Sequence, residues 1–214
     1  MYKELFLALL RQHRAIAVIR AGTVDSGLAQ AQAAAAGGMR LIEVTWDSAS
    51  PARLVDQLRQ SLPNCTIGMG TAFSLKDLKH GAAAGAQFCV CPHIDLALIR
   101  AAEPLQIPIV PGALTPNEIV AAWQAGATAV KVFPIGAVGG ASYIRSLQGP
   151  LGHIPLVPTG GVTVENAGEM VRAGAIALGL STGLFPKQAV AAQDWPAIAK
   201  RCGQLVASLN DLGG

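Results

Sequence analysis

"WQAGATAV", Trp123 to Val130, closes one kind of local structure and opens another within a few residues. Ahead of it runs an Ala-rich segment with helical spacing; after it comes the β-branched run "AVKVFP" (129–134). Gly126 sits at the junction, where glycine supplies the left-handed backbone that lets a chain turn back after a helix. The same Ala-Gly-Ala connector recurs in "AAAGAQF" and "VRAGAIAL", each time leading directly into an apolar run. Eight such runs punctuate the chain: "AIAVIR" (15–20), "RLIEVTW" (40–46), "TIGMGT" (66–71), "QFCVCP" (87–92), "IPIVPG" (107–112), "AVKVFP", "LVPTGG" (156–161) and "ALGLST" (177–182). Strands alternating with helices indicate βαβ units and a parallel sheet. Eight units in 214 residues predict a closed (β/α)8 TIM barrel, one domain spanning 1–214, preceded by a short amphipathic helix in "MYKELFLALLRQHR". An open doubly wound sheet is the structural rival, but no Gly-x-Gly-x-x-Gly follows the first strand.

Composition narrows the function classes. The 16 Lys and Arg residues against 13 Asp and Glu give a formal charge of +3, scattered along the chain. That is not the clustered basic footprint of a nucleic-acid binder or a polybasic membrane patch. No uninterrupted apolar run reaches the length of a spanning helix, and the N-terminus lacks a secretion signal's apolar core. A soluble, cytoplasmic protein is expected. Four cysteines stand at 65, 89, 91 and 202. The Cys-x-Cys of "FCVCP" lacks the second ligand pair of a structural zinc site, so buried thiols are expected and no metal.

In a closed barrel, strand residues alternate between interior and helices. Val130 and Val132 assign themselves to the helices, which turns Lys131 and Phe133 inward. Ile42 and Val44 do the same for Glu43 and Thr45. The inward set near the carboxyl ends becomes Arg20, Glu43, Thr45, Thr71, Lys131, Phe133 and Thr159, polar positions at the end where barrel active sites lie. A bare Lys131–Glu43 salt bridge would often fail to recover its desolvation cost. The alternative is a nucleophile: burial lowers a lysine pKa, and a neutral amine attacks a ketone to form a Schiff base. Glu43 would then be the proton shuttle that imine chemistry needs.

At this point the chain resembles, nearly end to end, the 2-keto-3-deoxy-6-phosphogluconate and 2-keto-4-hydroxyglutarate aldolase family. The resemblance is carried by "AVIRAG", "LIEVTWDS", "IGMGTAFS", "AGAQFCVCPHID", "IPIVPGALTPNEI", "VKVFPIGAVGGASYIRSLQGP" and "LVPTGGVTVENAGEM". It implies a cofactor-free class I lyase of the Entner–Doudoroff type, a homotrimer that releases pyruvate from a small 2-keto acid. It makes Lys131 the Schiff-base lysine and Glu43 the general acid/base. It implies that Thr71 and Thr159 contact the pyruvate portion and that Pro92 and Phe133 shape the pocket. Gly160, Gly161, Ser181 and Thr182 match the phosphate site. Three positions depart from the pattern. Asp47, in "TWDS", replaces the arginine of a Thr-Leu-Arg-Thr segment, and Arg20 either takes over that anion-binding role or pairs with Asp47. Ser181 stands where many relatives have glycine, and His93 follows the pocket proline, either lining the mouth or lying in a surface loop. Two rival functions stay open on these residues: a phosphosugar epimerase or isomerase using Glu43 and Lys131 for proton transfer, and a non-catalytic metabolite-binding descendant of an aldolase.

Overall fold

The computed structural model describes residues 2–213. Its elements alternate as the connectors require: α1 (Tyr2–His13), β1 (Ala15–Ile19), α2 (Val24–Ala36), β2 (Leu41–Thr45), α3 (Pro51–Ser61), β3 (Thr66–Gly70), α4 (Leu75–Ala83), β4 (Cys89–Val90) and α5 (Leu96–Ala102). There follow β5 (Ile109–Val110), β6 (Gly112–Ala113), α6 (Pro116–Gln124), β7 (Val130–Val132), α7 (Ala141–Leu151), β8 (Leu156–Pro158), α8 (Ala167–Arg172), β9 (Leu178–Leu180), α9 (Lys187–Ala191) and α10 (Trp195–Asn210). The connector glycines Gly85, Gly126 and Gly174 have φ of 88°, 100° and 111°. After each, the next N–H reaches back to a carbonyl in the last helical turn, as Ala127 does to Ala122 at 3.2 Å.

The closed eight-stranded barrel expected from the sequence is not formed. The strands lie in two parallel sheets, a six-stranded one in the order β5-β4-β3-β2-β1-β9 and a three-stranded one in the order β6-β7-β8. The result is a distorted barrel, and two prolines account for the breaks. Pro111 splits the fifth apolar run into β5 and β6; its carbonyl accepts from Lys131 N–H, so its missing N–H lies on the flank facing β7. Pro158 ends β8. Because Thr159 N–H donates to Val132, the alternate residue Pro158 faces β9 with no donor to offer. There the two sheets meet at a bridge between Thr159 and Gly179, and Ile176 N–H, ahead of β9, donates to Leu156 O of β8 at 3.1 Å.

Two apolar clusters decide which side chains point inward. Ile42, Val44, Val130 and Val132 belong to the outer cluster, against the helices. Ile16, Val18, Leu41, Phe88, Val90, Val110, Ala129, Val157 and Ala177 fill the interior together with Phe6 and Leu10 of α1. Helix α1 therefore plugs the interior, with Phe6 stacked on Phe88 at 4.8 Å between ring centroids. Gly68 leaves room for the Phe88 ring, which a methyl group there would meet at 2.5 Å. The strand alternation read from the sequence thus holds for Glu43 and Lys131, one step along from Leu41 and Ala129.

Phe88→Ala should cost about 3–5 kcal/mol, because the plug and the interior cannot close over the lost ring. Chemical denaturation at fixed pH measures it; a loss below about 1 kcal/mol would mean the interior is loosely packed.

Candidate active site

Glu43 extends from the six-stranded sheet and Lys131 from the three-stranded sheet. Both are nearly sealed from solvent, at 3% and 7% exposure. Burial pushes the Glu43 carboxyl up to about 7, against the opposing pull of the Lys131 and Arg20 charges. Burial pushes the Lys131 amine below its ordinary range; Glu43 and Cys91 oppose the shift, and Arg20 reinforces it. Neither a hydrogen bond nor an ion pair within 4.0 Å joins the two among the described residues. Lys131 Nζ instead sits 4.7 Å from the centroid of the Phe133 ring. Phe133 itself is 36% exposed, a rim residue covering the amine. The arrangement offers a nucleophilic amine and, nearby, a carboxyl that titrates near neutrality.

Glycines make room for these groups. A methyl at Gly70 would overlap Glu43 Oε1, and one at Gly179 would overlap Thr159 Oγ1. Gly70 lies in "IGMG" and Gly179 in "ALGLST", and the role of each comes from the side chain that a neighbouring strand places beside it. Thr71 follows β3 with φ +59°, a left-handed value uncommon for a non-glycine residue. Strand alternation therefore no longer decides where it points. Thr159 directly follows β8 and is half-buried. Pro92 packs its backbone against Gly112, the register partner of Lys131, which brings the Pro92 loop close to the lysine strand. His93 stacks on the exposed ring of Phe73 at 5.3 Å, and its buried Nδ1 has no partner among the described residues.

Arg20 departs from the inward reading. Its side chain is 56% exposed, and Nε lies 2.8 Å from Asp47 Oδ2 and 3.1 Å from Oδ1. Burial raises the Asp47 carboxyl, but hydrogen bonds from Thr45 and Arg20, with the arginine's charge, outweigh it and leave it below its ordinary range. Beneath the pair, Thr45 Oγ1 and Ser48 Oγ are 3.1 Å apart, and Ser48 Oγ also accepts from Ala21 N–H at 3.1 Å. The segment "TWDS" is thereby fastened to the end of β1.

Gly160 and Gly161 adopt φ of 79° and 93°. They are tied to the segment after β7, with Gly136 N–H donating to Gly160 O at 2.9 Å and a methyl at Gly160 meeting the Phe133 ring at 2.9 Å. Ser181 and Thr182 line a cavity of about 330 Å³ with Arg20. Gly160 and Gly161 are not among its lining residues. Among the described residues no cluster of His, Cys, Asp or Glu could hold a metal ion, and no helix is long and apolar enough to cross a membrane.

Residues 7–201 match the family model for KDPG and KHG aldolase. The chain is 30% identical over 186 residues to 2-dehydro-3-deoxy-phosphogluconate aldolase of Treponema pallidum, covering 87% of this chain and 89% of that one. It is 28% identical over 191 residues to the KHG/KDPG aldolase of Escherichia coli K12, covering 89% and 90%. Among solved structures, KDPG aldolase from Legionella pneumophila with pyruvate captured at low pH as a covalent carbinolamine superposes with a TM-score of 0.86. The identity is 26%, over 93% of this chain and 97% of that one.

The raised Glu43 carboxyl has a stability consequence. Between its ordinary value of 4.5 and about 7, the folded protein holds a proton that the unfolded chain has released. Folding stability contributed at this site is therefore present below that window and lost as pH rises through it. From about pH 5 to about pH 8 the loss should be roughly 2–3 kcal/mol, and Glu43→Gln should remove it. Urea unfolding of both proteins across that range checks this; parallel pH profiles would mean that Glu43 ionises normally.

Proposed function

The chain belongs to the KDPG and KHG aldolase family, and on that footing we propose that it is a class I aldolase. It cleaves 2-keto-3-deoxy-6-phosphogluconate, or 4-hydroxy-2-oxoglutarate, to pyruvate and an aldehyde through a Schiff base on Lys131. The observation that carries this reading is the desolvated Lys131 amine, lowered in pKa, near a Glu43 carboxyl at about 7. The covalent carbinolamine of the Legionella relative supports the same chemistry.

In this scheme neutral Lys131 Nζ adds to the C2 ketone. The carbinolamine hydroxyl leaves as water with a proton from Glu43, giving a protonated imine. That imine accepts the electron pair of the C3–C4 bond as it breaks, while the Glu43 carboxylate takes the C4 hydroxyl proton and the aldehyde departs. Glu43 returns the proton to C3 of the enamine, and water hydrolyses the imine to release pyruvate and the amine. One carboxyl performs each transfer, and a pKa near 7 suits a group that must both give and take protons. Thr71 and Thr159 are assigned to the pyruvate portion, Pro92 and Phe133 to the pocket wall, and Gly160, Gly161, Ser181 and Thr182 to the phosphate. The family resemblance also supports a cytoplasmic homotrimer, for which light scattering after gel filtration is the direct measurement.

Borohydride reduction in the presence of pyruvate tests the scheme. A pyruvyl adduct should map to Lys131 and be absent from Lys131→Ala, with turnover abolished. Near wild-type activity in that variant sinks the mechanism. Glu43→Gln should still trap pyruvate while turnover falls by about 100-fold or more. Gly70→Ala, which displaces the carboxyl without removing it, should lower kcat by about tenfold or more with the fold intact by circular dichroism. Normal kcat in Gly70→Ala would place the shuttle elsewhere.

A further inference from the structure

The cavity beside Arg20 contains residues that neither the strand-end reading nor the family motifs single out. Its lining includes Val18, Gln30, Phe185 and Lys187 in addition to Arg20, Ser181 and Thr182. Val18 is the register partner of Glu43 across β1 and β2, so the cavity starts beside the proton shuttle. It runs outward to two cations and two hydroxyls, and its lining residues include no carboxylate. Its volume of about 330 Å³ suits the tail of a small metabolite.

The two cations are not equivalent. Arg20 is neutralised in part by Asp47 at 2.8 Å. Lys187, on α9, forms no ion pair among the described residues. Gln30, on α2, is a polar side chain only 2% exposed, steadied by an Nε2 bond to Ser26 Oγ at 3.2 Å. A buried amide at a cavity wall has hydrogen-bonding capacity left to meet, and Ser26 takes up only part of it.

We infer that Lys187 and Gln30 determine the substrate's distal half, selecting an aldehyde portion that ends in a phosphate monoester. This rests on the aldolase reading above and adds to it two residues outside the strand-end loops. Lys187 supplies the charge that Asp47 withdraws from Arg20, and Gln30 fixes the neighbouring hydroxyl-bearing carbon by its amide. Val18, Phe185 and Val190 supply apolar walls beside these polar groups.

The test uses glycerol 3-phosphate, a phosphate-ended ligand with no carbonyl for Lys131 to attack, titrated calorimetrically against wild type, Lys187→Ala, Lys187→Arg and Gln30→Leu. Wild type should bind it in preference to glycerol. Lys187→Ala should weaken it by about 10- to 100-fold, with most of the affinity restored by arginine, and Gln30→Leu should weaken it by about tenfold. Equal affinity in wild type and Lys187→Ala, or no preference over glycerol in wild type, overturns the assignment. Pyruvate trapping on Lys131 is run on the same four proteins. Trapping throughout with no Lys187 effect defeats this subsite and leaves the aldolase reading standing; no trapping in wild type defeats the aldolase reading itself.

Discussion

The desolvation of two opposite charges, Glu43 and Lys131, is the constraint to which the rest of the molecule answers. Each is held in the interior beside an apolar inward neighbour, Leu41 for Glu43 and Ala129 for Lys131, and each has its pKa displaced toward neutrality. Direct pairing would favour both charged forms and suppress the nucleophile. Keeping them in the same interior without an ion pair leaves burial as the dominant influence on both. The dry floor comes from α1, whose Phe6 and Leu10 complete the interior packing together with Phe88. The space comes from glycine: Gly70 yields its side-chain volume to the Glu43 carboxyl, and Gly179 does so for Thr159.

The departures from the family pattern fall outside this buried pair and concern the other end of the substrate. Asp47 occupies the place of a family arginine and engages Arg20 at the rim, with Thr45 and Ser48 bracing the loop beneath. A cation committed to a neighbouring carboxylate is a weaker anion receptor than a free one. Lys187 on α9 is therefore the less encumbered charge at the cavity mouth. The buried pair stands on β2 and β7, whereas Arg20 follows β1 and Lys187 lies on α9.

The break in the sheet serves the same division. Pro111 and Pro158 each lack a donor on a flank where the three-stranded sheet would join its neighbours, so Lys131 rides on a short three-stranded unit rather than a continuous ladder. Both prolines stood in view in "IPIVPG" and "LVPTGG", and the missing donor follows from proline's chemistry alone. What the sequence could not show was which flank that donor would have faced.

Local chemistry determined the rest of what was legible. The Ala-Gly-Ala connectors specify left-handed helix ends, and apolar neighbours turn Glu43 and Lys131 inward, because both rules operate over a few residues of chain. The alternation failed at Arg20, which bends out to Asp47, and gave no answer at Thr71, where a positive φ interrupts the strand. It could not find Gly70, Gly179, Gln30 or Lys187, whose importance lies in what another strand or helix places beside them. By itself the sequence determined the order of the elements and the residue types at their ends. Only the tertiary structure decided how dry the interior is, which charges are paired and which cavity they share, because desolvation and Coulomb interactions depend on distances through space between residues far apart in the chain.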